Sequence, residues 1–203
     1  MEKRLAQVIS VIFHPLLFPV YGFLLLFNIE SYLTFQLVFK AKMILLLMIF
    51  SSTVVIPLIM FTIFKRRYLI TDFFMNTREE RVYPYLTLTI IYFLQYFLIS
   101  KTGLQPVFSF FLLTATLISL VVFFINLRWK ISVHAVGMGS LTALVIGLSY
   151  KLQTDLHLLV ALMILCSGMV GFARLKTNSH KPSEIYSGYL VGVMIFTIMF
   201  LIF

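Results

Sequence analysis

One cysteine and seven carboxylates are all that 203 residues provide toward disulfides, thiolate clusters or carboxylate cages. A lone thiol forms no internal disulfide and no thiolate metal site, and Cys166, in the middle of an apolar run, reads as a small packing residue. Asp72, Glu79, Glu80 and Glu184 do not have the spacing of a Mg²⁺ cage. No metal and no cofactor is expected. The first apolar run lacks a small-residue cleavage site and carries Pro15 and Pro19, so it reads as a retained helix rather than a signal peptide. Charged residues are scarce at 11%, and no soluble basic segment exists. The net charge of +9 therefore does not point to nucleic acid.

Apolar residues are what the chain has. They make up 61% of it, with 22 phenylalanines and a mean hydropathy of +1.04, far outside the range of soluble domains. Apolar runs recur at 8–27, 43–64, 85–100, 107–127, 133–148, 156–172 and 185–203. Most are near the ~20 residues that cross ~30 Å of hydrocarbon as a helix. Unsatisfied backbone is too costly in lipid, so the runs are expected to be helices. The fold class is all-α: a polytopic transmembrane helical bundle of about seven spans, the third the shortest, in one domain over 1–203. Pro57 is expected to kink the second span.

Three polar interludes carry the chemistry. The last holds Arg174, His180 and Glu184, with Pro182 suited to a helix first turn. Arg174 falls in the expected loop, while His180 and Glu184, four apart, fall on one helical face. There the carboxylate can hold the proton of one ring nitrogen and leave the other free to act. In the middle interlude Ser132 and His134 open the fifth span, where amide donors and the positive dipole end suit an oxyanion. Lys130 adds a cation of unassigned duty. In the first interlude Arg78 and Arg81 stand three apart before Pro84. They read either as a bidentate cradle for phosphate oxygens or as a solvated loop neutralised by Glu79 and Glu80. His14 reads as reaching headgroups or a nearby carbonyl, and His157 as a solvated loop residue beside Asp155.

Arg174, five residues, His180, three residues and Glu184, followed by Ser-Gly-Tyr-Leu-Val-Gly, resembles the third signature of the type 2 phosphatidic acid phosphatase superfamily. Ser132-Val-His134 is similar to its second signature, Pro-Ser-Gly-His. Thr77-Arg-Glu-Glu-Arg81-x-x-Pro84 looks like a variant of the first. This chain has Ala173 for the usual serine, Glu184 for aspartate, Val133 for glycine, Ile131 for proline and Phe74 where a lysine stands. The resemblance covers roughly residues 72 to 192. It implies that His180 is the nucleophile taking the phosphoryl group, that His134 protonates the leaving oxygen, and that Ser132, Arg174, Arg81 and Arg78, with Lys130, bind phosphate. The substrate it implies is a phospholipid phosphate or a polyprenyl (pyro)phosphate.

Two spans separate each interlude from the next, so all three face one side of the membrane. Twelve of the sixteen Lys and Arg fall on that side and the N-terminus. Setting aside Arg78, Arg81, Lys130 and Arg174 leaves eight against four, which favours a cytoplasmic motif face in a bacterial inner membrane. Glycines at 137, 139, 147, 168, 171, 188 and 192 mark spans five, six and seven as a tight core. Two other classes stay open, a non-catalytic binder of lipid phosphate and a small transporter. Against the latter, no inverted repeat is evident and the polar residues gather at one face.

Overall fold

The structure, a computed structural model, describes residues 2–29, 37–72, 75 and 77–202. Among these, seven helical spans are long and apolar enough to cross a membrane, and no strand forms. The chain is an all-α polytopic membrane protein. The third span is not the shortest: Glu79–Ser100 has 22 residues, against 20 for the fifth and sixth. Its polar opening, Glu79–Arg81, coils as a 3₁₀ turn leading into the helix Val82–Ser100, so hydrophobicity alone underestimated the span.

Proline acts in two different ways. In the first span α1 (Glu2–Ile12) stops, Pro15–Leu17 form a 3₁₀ turn, and α2 (Phe18–Asn28) resumes. His14 is extended, as a residue preceding proline is pushed to be. In the second span α3 (Phe39–Phe50) and α4 (Ile56–Arg66) are joined without a break by a π-helical turn, Ser51–Val55. The Ile56 N–H bonds to the Ser51 carbonyl, five residues back, and this widened turn accommodates Pro57, which has no N–H to give. At Pro57, where a kink is expected, the structure has this turn. The remaining spans are α5 (Val82–Ser100), α6 (Pro106–Asn126), α7 (Val133–Leu152), α8 (His157–Lys176) and α9 (Pro182–Ile202).

The chain divides into two compact units, Met1–Phe18 with Ile131–Phe203, and Pro19–Lys130. In the first unit every residue of α7 from Ala135 to Val145 is buried, the mark of an interior helix. α9 lies directly on it. A Cβ built on Gly139 would stand 2.2 Å from the Tyr189 carbonyl oxygen, and one on Gly192 would stand 2.1 Å from that of Val136. Only glycine lets the two backbones come this close. α8 packs mainly on α7 and α1, with little contact to α9. The expected three-helix core is thus a tight pair, spans five and seven. Gly168 of the sixth faces open space and Gly171 makes ordinary contact with Ile185. Small residues in a sequence do not say which side of the helix meets a partner.

In the second unit α5 and α6 form an antiparallel hairpin, clasped by a 2.8 Å hydrogen bond between the Thr89 and Ser119 hydroxyls. Gln95 of α5 donates to the Ser52 hydroxyl of the π-helical turn. Phe23 of α2 is fully buried, stacked on Phe108 and edge-on to Phe111.

The glycine geometry separates packing from propensity. Gly139→Val and Gly192→Val should each cost about 1–3 kcal/mol through forced separation of α7 and α9, while Gly168→Ala should be neutral or add about 0.5–1 kcal/mol. Melting temperatures in detergent check this; equal losses at all three positions would refute the packing assignment.

Candidate functional site

The site begins with the turn between α8 and α9. Arg174 and Lys176 occupy the last turn of α8, where cations meet the negative end of the helix. Asn178 is left-handed (φ 52°), the Asn178 N–H donates to the Leu175 carbonyl at 3.0 Å, and the Ser179 N–H donates to that of Arg174 at 3.2 Å. This is a Schellman cap with asparagine in the place glycine usually takes. Two residues later His180 is buried, and Lys181 caps α9, its carbonyl accepting the Glu184 N–H at 3.1 Å. The Glu184 carboxylate reaches back to the His180 Nδ1–H at 2.7 Å and the Lys181 N–H at 3.3 Å. A third-position glutamate returning to the cap is one half of a capping box.

The His180–Glu184 contact is therefore the one expected, reached by another route. His180 lies just outside the helix rather than on its face, and Arg174 stands on a helix rather than in a loop. Both differences have one cause: the Asn178 cap lets α8 run to Lys176 and reverses the chain in a very short turn.

Ser132 precedes α7 in extended backbone and donates its N–H to the Glu184 carbonyl at 3.1 Å, binding the starts of α7 and α9 together. Its side chain does not cap the helix. Ser132 is fully buried, and its hydroxyl has no hydrogen-bond partner among the described residues. His134, one turn-step on, meets the Ser10 carbonyl through Nε2 at 3.2 Å. Arg174 donates from Nη1 to the Ser10 hydroxyl at 3.4 Å. The Arg174 guanidinium acts electrostatically on the His134 ring.

The Ser10 carbonyl is available because of a proline. In a continuous helix it would accept the His14 N–H, and the Val11 carbonyl would accept that of residue 15. Pro15 has none. The His14 N–H tightens onto the Val11 carbonyl at 3.2 Å instead, releasing that of Ser10 to His134. The ring of His14 stands edge-on to His134, centroids 5.9 Å apart. His14 is thus part of the cluster, which its reading as a headgroup contact missed; an ionisable residue followed by proline inside a span was the available signal. Ser10 gave none.

Three partners fix three tautomers. A carboxylate only accepts, so His180 carries its hydrogen on Nδ1 and its lone pair on Nε2. A carbonyl only accepts, so His134 carries hydrogen on Nε2 and presents Nδ1. His14 Nδ1 accepts the Leu16 N–H at 3.3 Å, so its hydrogen is on Nε2.

Arg78, Arg81 and Lys130 belong to the other unit. Arg78 donates from Nη1 to the Arg128 carbonyl at 2.6 Å and lies 3.9 Å from Glu79 in an exposed ion pair, a type worth little. Arg81 is buried and donates from Nε to the Met75 carbonyl at 2.8 Å. Glu80 does not neutralise either arginine. It accepts the N–H of Thr71 at 2.6 Å and of Thr77 at 3.3 Å, together with both hydroxyls, and so ties the two ends of the loop. Lys130 is half-buried in the connector before α7. Phe74 lies outside the described residues.

Elsewhere, His157 and Asp155 form an exposed pair at the start of α8, the end remote from Arg174. The His157 backbone N–H and ring hold the Asp155 carboxyl below its usual range. An apolar cleft of about 580 Å³ lies beside Gly147, Tyr150 and Phe200, toward the ends of α7 and α9 away from the histidines. Among the described residues no group of three or more His, Cys, Asp or Glu is placed so that it could hold a metal ion. No family model, no curated protein and no solved structure matches the chain.

The tautomers are open to direct measurement. Histidine-labelled ¹⁵N spectra in micelles should show His180 with its hydrogen on Nδ1 and His14 and His134 with theirs on Nε2. Glu184→Ala should abolish the Nδ1–H form of His180 and leave the other two unchanged. A His180 signal indifferent to Glu184 would break the assignment.

Proposed function

We propose that this integral membrane protein is a phosphohydrolase that removes phosphate from a lipid phosphate or a polyprenyl (pyro)phosphate through a phosphohistidine. The observation that carries the reading is the buried His180–Glu184 pair, 2.7 Å apart, in which the carboxylate holds the ring hydrogen on Nδ1 and so puts the lone pair on Nε2. In the first step His180 Nε2 attacks phosphorus, the ester P–O bond breaks, and the leaving oxygen takes a proton from Nδ1 of His134 in its imidazolium form. In the second, water gives a proton to His134 Nδ1 and attacks phosphorus, the P–N bond breaks, and inorganic phosphate leaves. Glu184 holds the His180 ring in orientation and balances the charge it acquires. Arg174 and the buried hydroxyl of Ser132 bind the equatorial oxygens, where negative charge spreads in the transition state. Arg81, Arg78 and Lys130 are the further phosphate-binding cations of this reading. The membrane is a bacterial inner membrane, with the site on its cytoplasmic face.

One observation favours a second reading, a binder of lipid phosphate without turnover. Arg78 and Arg81 each donate a hydrogen bond to a carbonyl of their own unit, so at least part of each fork is committed to structure.

Purified protein given phosphatidic acid, phosphatidylglycerophosphate and a polyprenyl pyrophosphate in turn should release phosphate from at least one. His180→Ala should abolish release in protein that is still extracted folded, with a lower melting temperature from the broken buried pair, because a covalent nucleophile has no substitute. The wild type should also yield an acid-labile phosphoryl adduct that the variant lacks. Residual turnover above a few per cent rejects His180 as nucleophile; binding of all three without release selects the second reading.

Orientation has its own measurement. Ser183 is exposed at the start of α9; Ser183→Cys in a Cys166→Ala background should resist a membrane-impermeant thiol reagent in intact cells and react after lysis. Rapid labelling of intact cells places the site outside.

A further inference from the structure

The break in the first span brings to the cluster a histidine for which the proposed chemistry has no task. Pro15 holds His14 extended (φ −68°, ψ 139°), turning its ring off the helix path. The Leu16 N–H occupies Nδ1 and leaves the ring hydrogen on Nε2. His14 meets His134 edge-on with planes at 80°, and the charge of Arg174 acts on both rings. His180 is buried, whereas His14 keeps surface exposed.

We propose that His14 is a third histidine of the site, a neutral donor whose Nε2–H bonds to an oxygen of the phosphate that Arg174 binds. The inference rests on the phosphohydrolase reading for the nature of its ligand, but it concerns binding and not group transfer. Protonation of His14 would require Nδ1 to give up the Leu16 N–H, so the backbone keeps the ring neutral. A neutral donor suits the position: it adds direction to phosphate binding without setting a second fixed cation beside the guanidinium. His180 then offers a nucleophilic nitrogen, His134 a basic one, and His14 a hydrogen.

The test uses the full-length protein in detergent with inorganic phosphate as the probe, followed by calorimetry and by the phosphate-induced rise in melting temperature. His14→Phe keeps a flat ring against His134 and deletes the donor, while His14→Gln restores an N–H near the same place. A hydrogen bond to a charged oxygen predicts that His14→Phe weakens phosphate binding about ten- to a hundredfold. His14→Gln should recover most of that loss. With a turned-over ester, His14→Phe should act chiefly on KM. Undiminished phosphate affinity in His14→Phe, a glutamine variant no better than the phenylalanine one, or a wild type that binds no phosphate overturns the proposal. Loss of the melting transition in both variants without phosphate also overturns it, assigning His14 to the span break alone. Phosphate binding that depends on His14 in a protein that turns over no ester would reject the phosphohydrolase reading and leave this inference standing. Turnover with binding indifferent to His14 would do the reverse.

Discussion

Glu184 is where three requirements meet. Its carboxylate accepts the His180 Nδ1–H and the Lys181 N–H, and its carbonyl accepts the Ser132 N–H. The first contact orients a ring, the second caps α9, and the third holds the start of α7 against it. A carboxylate in the first turn also lies at the positive end of the helix dipole. Removing it would uncover a buried ring nitrogen and an uncapped helix start together, and breaking a buried pair from one side costs more than the pair contributes. The side chain must span from the third helical position to the residue before the cap, and the extra methylene of glutamate over aspartate gives it that reach.

The first span shows how a defect becomes a tool. Pro15 cannot donate to the Val11 carbonyl, His14 does so instead, and the carbonyl of Ser10 is left for a side chain to use. In a membrane such a carbonyl has no bulk water to turn to, and His134 fills the need at 3.2 Å. Pro57 behaves differently. There the preceding turn widens to π geometry and the helix continues, so no carbonyl is surrendered in the same way. The difference lies in the residues beyond each proline: Pro15 is succeeded by a 3₁₀ turn and Pro19, whereas Pro57 sits one residue inside an uninterrupted helix.

Hydrophobic run length was enough to find seven spans and their order, because lipid leaves backbone few alternatives to helix. It placed the ends less well, for the polar turns Glu79–Arg81 and Arg174–Lys176 are helical too, stabilised by caps that hydropathy does not register. The meeting of His180 with Glu184 followed from spacing alone, although the cap and not the helix face produces it. Ser10 was beyond that kind of reasoning, and His14 had only its place before a proline inside a span to signal it. They join His134 across more than a hundred residues, through a carbonyl whose release depends on a proline five positions along. Glu80 was only half readable as a loop clasp: Thr77, three residues before it, has the capping-box spacing, while nothing in Thr71 marks it as a partner.

The cluster draws one guanidinium and three imidazoles from the first, fifth and sixth spans and the turn before the seventh, and each further cation set beside Arg174 would raise the Coulomb cost in a poorly solvated setting. Its hydrogen bonds meet that constraint by fixing orientation instead of charge: a carboxylate, a carbonyl and a backbone N–H each select one tautomer. In the proposed chemistry His134 must nevertheless arrive as an imidazolium for the first step. The phosphate resolves this, because it enters with negative charge of its own and offsets the proton that His134 takes up. Proton uptake and substrate binding are then coupled. In this proposed chemistry an empty site stays low in charge, and the acid is armed when there is an anion beside it to use it.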